Sequence, residues 1–154
     1  DYGDARGNLA NVLASRGRQT EALVEFEIAL KSRPNDAGVR YNYAMLLGGL
    51  RRYDDAQREL EACLRADSKF TDAHELLGEL LLARNRAAEA ASHFREAVAQ
   101  RPGSARASLG LGMALAAGGD RAGAIASLRK AAASRDAEVK LRAGELLRQL
   151  GAGN

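Results

Sequence analysis

The chain has 154 residues, 46% hydrophobic and 28% charged, which suits a globular protein and argues against disorder. Its 23 Lys+Arg against 20 Asp+Glu leave a net charge of +3, too small an imbalance to point to nucleic acid, and 5% aromatics without Trp leave few platforms for base stacking. The single cysteine, Cys63, excludes a disulfide framework, and no apolar run is long enough to cross a membrane.

Two prolines and abundant Ala, Leu, Arg and Glu favour helix nearly throughout. The first helix is expected around Leu9–Leu13 and is closed by the turn Arg16–Gly17–Arg18. The second carries Ala22, Leu23, Phe26, Ala29 and Leu30, an amphipathic stripe, and Pro34 ends it. The pattern then returns at one constant interval: Leu13, Leu47, Leu81 and Leu115; Ala22, Ala56, Ala90 and Ala124; Phe26, Leu60, Phe94 and Leu128; Ala29, Cys63, Ala97 and Ala131. Turns recur in the same register at Leu50–Arg51–Arg52, Arg84–Asn85–Arg86 and Gly118–Gly119–Asp120. Gly17, Asn85 and Gly119 share one position, suited to a left-handed helix end. The small residues require close helix approach. Each unit is a helical hairpin that buries its apolar faces only by stacking on a neighbour.

Four hairpins are expected over 3–36, 37–70, 71–104 and 105–138. The remaining stretch, 139–154, fits one capping helix and a flexible tail. There Ala143–Gly144, Leu147 and Gly151 echo Leu111–Gly112, Leu115 and Gly119, but at a step shortened by two positions. Ala5 and Val12 leave the N-terminal face uncapped, open to a missing repeat or to self-association. The chain opens on Asp1, close to the first helical segment, and reads as an excised piece of a longer protein. The compartment is therefore left open.

With His74, Leu77–Gly78, Leu81, Ala90, Phe94, Ala97 and Pro102 in place, the third unit resembles the tetratricopeptide repeat (TPR) family, and the others follow it. Arg6, Arg40, His74 and Ser108 stand where that family usually has Trp. The resemblance implies an all-α, right-handed superhelical solenoid of antiparallel helix pairs. It also implies a concave groove, lined by the first helix of each pair, that takes a protein or peptide segment. Candidate groove residues are Asn8, Asn11, Tyr41, Asn42, Met45, Glu75, Glu79, Arg106, Leu109 and Met113, with Asp4, Ser15, Gly49, Asp72, Leu82 and Ala117 beside them. Asp72, Glu75 and Glu79 would form a negative strip over an apolar floor, selecting apolar anchors flanked by Lys or Arg. Asn11 and Asn42 match part of the carboxylate clamp of one TPR subgroup. Gly7, Asp72 and Leu76 replace its cations, so chaperone tails do not fit.

No catalytic constellation stands out. His74–Glu75 lacks the second His of a zinc protease motif. His93 reads as a surface residue beside Phe94, and Cys63 as a buried spacer. Gly110–Leu111–Gly112 is helix packing rather than a nucleotide loop, because Leu115 replaces the third glycine. The turn arginines form a solvated basic edge. No metal or cofactor is expected. The expected function is a non-catalytic interaction module, part of a larger bacterial protein. The alternatives are a structural spacer or oligomerisation segment, and an accessory domain of an enzyme whose catalytic part lies elsewhere.

Overall fold

In the computed structural model, which describes residues 2–152, nine α-helices and no strand occur among the described residues. They are α1 (Tyr2–Ser15), α2 (Gln19–Ser32), α3 (Ala37–Gly49), α4 (Tyr53–Ala66), α5 (Thr71–Ala83), α6 (Ala87–Gln100), α7 (Ala105–Ala117), α8 (Arg121–Ala132) and α9 (Ala137–Gln149). The chain is all-α, and it forms two compact units, residues 1–73 and 74–154.

In the first unit α1 packs on α2 and α3 on α4, with α2 also against α3. Its core is the recurring set read from the sequence: Leu13, Ala22, Phe26, Ala29, Leu47, Ala56, Leu60 and Cys63 are buried, and Ala10 with them. Tyr43 joins it, with its ring 5.5 Å from that of Phe26 and its hydroxyl 3.2 Å from Glu27. Burial, and then the Glu27 charge, push the Tyr43 hydroxyl up to about 12. Burying each such aromatic stabilises by about 1.5–3 kcal/mol.

In the second unit α6 packs on α7, α7 on α8, and α9 on both α7 and α8. Phe94 of α6 lies fully buried between two glycines. A Cβ at Gly78 of α5 would stand 2.8 Å from its ring, and one at Gly110 of α7 would collide with it. Gly112 makes the equivalent close approach to Leu128, where a Cβ would stand 2.6 Å from Cγ. The Gly110–Leu111–Gly112 segment is thus helix packing. Ala143 and Leu147 of α9 close the far side against Leu128 and Ala131.

Helix ends obey local chemistry. Asp36, Ser104, Asp120 and Asp136 accept hydrogen bonds from backbone N–H groups of the first turns of α3, α7, α8 and α9. Asp136 follows Ser104 at the same shortened step as the rest of the last helix, which begins at Ala137, ahead of Val139. The left-handed turn position holds Gly17, Asn85 and Gly119 as expected, and also Arg51 at φ 60°. The tail residues 153 and 154 lie outside the described residues.

Candidate functional site: a cleft in the second unit

A cleft of about 780 Å³ is lined from α5, α7 and α9. Helical spacing explains its composition. Arg106, Leu109, Gly110, Met113 and Ala117 share one face of α7, each lying three or four residues from another of the set. Leu82 and Ala83 come from α5, Val139 and Arg142 from α9, and an edge of Phe94 forms part of the floor. Leu82, Leu109, Met113 and Val139 make the wall largely apolar.

The charged lining residues are exposed or half-exposed. Arg106 forks onto Glu79, Nε to Oε1 at 2.8 Å and a terminal nitrogen to Oε2 at 2.9 Å. Asp136, Glu138 and Arg142 line the side contributed by α9. Glu75, expected to face the groove, is only 5% exposed. It accepts a hydrogen bond from Ser104 Oγ at 2.8 Å and stands 3.9 Å from Arg106 Nε. The expected free negative strip is therefore corrected: Glu75 is turned inward to the α7 cap, and Glu79 carries an arginine. A carboxylate buried beside a helix start gains a donor there that open water would otherwise supply.

Of the groove candidates, Glu79, Arg106, Leu109 and Met113 line this one cleft, together with Leu82 and Ala117. Asn8 and Asn11 are exposed on α1. Tyr41 and Asn42 are half-buried on α3, with the Tyr41 ring 5.1 Å from that of Phe70, and Met45 is 51% exposed. The α9 residues lie outside the expected groove because the last helix reads in sequence as a cap. The shortened step holds the signal: Glu138 and Arg142 stand that far beyond Arg106 and Gly110.

The residues lining the cleft include no Cys, His, Ser or Lys. Cys63 is buried in the other unit and donates its thiol to the Ala37 carbonyl at 3.2 Å. Burial, and then Asp67, push it up to about 11, away from the thiolate. No group of three or more metal-ligating side chains occurs among the described residues.

Comparison with known proteins agrees with the repeat. Profiles described as tetratricopeptide repeat match residues 41–105 and 81–150. The chain belongs to the tetratricopeptide repeat family. Two curated relatives from Arabidopsis thaliana carry TPR repeats as well. The inactive TPR repeat-containing thioredoxin TTL3 is 33% identical over 86 residues, and the TPR repeat-containing thioredoxin TTL4 is 30% identical over 84. Those matches take 56% and 54% of this chain but 12% of each relative, so the chain spans about an eighth of their length.

Among solved TPR structures, MamA from Desulfovibrio magneticus RS-1 has a TM-score of 0.86 at 21% identity, covering 99% of this chain and 87% of that one. YrrB, described as a TPR protein with an unusual peptide-binding site, has a TM-score of 0.82 at 23% identity over 96% and 77%. A thermophilic TPR protein of Thermus thermophilus has a TM-score of 0.73 at 26% identity over 97% and 84%. What the MamA and YrrB likenesses carry is the TPR fold.

Proposed function

We propose that this TPR chain is a non-catalytic interaction module within a larger bacterial protein. Its second unit would hold an apolar side chain of a peptide, or of a neighbouring domain, in the α5–α7–α9 cleft. The observation that supports this is the cleft itself: an apolar wall of Leu82, Leu109, Met113 and Val139 beside charged side chains that reach solvent. Met113 adapts to differently shaped anchors. Glu79 and Arg106 can open to meet a Lys or an acidic group flanking the anchor. The bacterial source of the MamA and Thermus thermophilus likenesses supports the setting.

Peptide display against the intact chain tests the reading. Selected peptides are expected to share one large apolar residue and to bind at least tenfold more weakly to Met113→Lys, whose charge would sit in the floor. Peptides that bind the variant equally well, or that share no apolar anchor, would sink it. Asn8, Asn11, Tyr41, Asn42 and Met45 are proposed as a second contact surface in the first unit. Single alanine substitutions there should weaken peptides selected against the first unit's surface.

A second reading, self-association, is favoured by one observation. Leu9, Val12 and Val24, on the first two helices, are 42%, 46% and 50% exposed, and Leu9 and Val24 line a shallower cleft between α1 and α2. Sedimentation of the intact chain beside Val12→Glu separates the two: a monomer at all concentrations removes this second reading.

A further inference from the structure

The hairpins repeat one cross-helix pairing, between residues nineteen apart in sequence. In the first, Arg6 reaches both oxygens of Glu25, at 2.7 and 2.6 Å. In the second, Arg40 is bound to Glu59. In the fourth, the same two places hold buried serines, Ser108 and Ser127. In the third they hold His74 and His93, with their Nδ1 atoms 3.0 Å apart and ring centroids 5.3 Å apart. His93 is therefore not the surface residue expected from its place beside Phe94. It is half-buried against His74, which is 7% exposed.

A nitrogen–nitrogen hydrogen bond needs one proton and one bare lone pair. Two neutral rings of opposite tautomer satisfy it, and so does one imidazolium facing one neutral ring. Two imidazoliums cannot, because both Nδ1 atoms then carry protons and two like charges meet where little water screens them. We propose that the His74–His93 pair is a proton-operated latch that loosens the third hairpin in acid. The ion pairs at the equivalent places of the first two hairpins keep their charges across the range in which histidine titrates. Histidine alone makes this position sensitive to physiological pH.

On α6, Glu89 lies one turn before His93 and interacts electrostatically with it while also being forked by Arg86 at 2.7 and 2.6 Å, so a single positive charge on the pair sits on His93 beside Glu89; Arg95 and Glu96 are exposed. On α5, Glu75 is bound by Ser104 and Glu79 by Arg106, and Asp72 lies in the first turn. On α7, which packs against α6, the ionisable residue is Arg106, spent on Glu79. His93 directly precedes Phe94, the ring clamped by Gly78 and Gly110 at the cleft floor. Parting α5 from α6 therefore disturbs the floor of the cleft.

The direction follows from proton counting. An unfolded histidine titrates near pH 6.5, so below that the unfolded chain carries two protons on these rings. The latched hairpin carries at most one. Unfolding then takes up about one extra proton, and stability falls as pH drops.

The test is urea unfolding of the intact chain across about pH 7.5 to 5, beside the double variant His74→Arg/His93→Glu, which installs the pairing of the first two hairpins. The folding constant of the original chain should lose about tenfold more per pH unit than that of the variant below about pH 6. Equal slopes overturn the proposal. Nitrogen NMR of the two rings in the original chain decides the matter even if the variant does not fold. At neutral pH one Nδ1 should be protonated and the other bare. Two Nδ1 atoms in the same state, or two fully protonated rings in acid with unchanged amide shifts around His74 and His93, overturn it.

Discussion

Arg51 occupies a left-handed backbone position, φ 60°, that Gly17 and Gly119 fill in the first and last turns of the series. The next residue closes each turn with the same bond. Arg52 N–H reaches the Leu47 carbonyl at 2.9 Å, as Arg18 does to Leu13, Arg86 to Leu81 and Asp120 to Leu115. The hydrogen bond holds the strained conformation, and the arginine side chain, which is exposed, gains nothing by packing there. A Cβ in this region costs about 1 kcal/mol relative to glycine. Arg51→Gly should raise the urea midpoint by the equivalent of about 1 kcal/mol without changing the slope, and Gly119→Ala should lower it by a similar amount. The Cys63 thiol, pushed up to about 11 and fully buried, should not react with a disulfide reagent at mildly alkaline pH. Its modification rate should track opening of the first unit, and prompt labelling of the folded chain would contradict its placement.

At the scale of the element, α9 matters for what it covers. Without it Leu128 and Ala131 of α8 would face water, and Ala143 and Leu147 fill that role. Arg121 of α8 reinforces the contact by donating to the Leu150 carbonyl at 3.0 Å. Leu147→Ala removes buried methyl groups from a site closed on one side only by this helix. It should cost about 2–3 kcal/mol, read by urea unfolding of the intact chain. A loss below a few tenths would mean that α9 frays in solution. The same helix supplies Val139 and Arg142 to the cleft, so a variant that loosens it should also weaken any ligand held there.

For the whole molecule, electrostatics adds little to stability despite the number of charges. The basic edge expected at the turns is largely cancelled, because Arg18, Arg52 and Arg86 each bind an acid three residues on, Glu21, Asp55 and Glu89. Arg18 and Arg86 hold the Glu21 and Glu89 carboxyls below the usual range. These pairs lie in the solvent, where screening leaves them weak. Raising NaCl from dilute buffer to about 1 M should shift the melting temperature by no more than a few degrees. A large drop would transfer weight from the apolar core to the ion pairs. Stability rests instead on the alanine, leucine and phenylalanine positions that recur from hairpin to hairpin.

Those positions were legible in the chain because a helix has a fixed period and a hairpin a fixed length. Buried Ala22, Phe26 and Ala29, the left-handed turns and the shortened step before α9 all follow from spacing that neighbouring residues set locally. The pairing of side chains from different helices was decided by distances across the packed structure. Glu75 and Glu79 look alike one helical turn apart, yet one is turned in to Ser104 and the other held at the cleft rim by Arg106. His93 looked exposed until α5 brought His74 to within 3.0 Å. A one-dimensional pattern reports which face a residue occupies; the angle and separation at which two helices meet determine what it touches there.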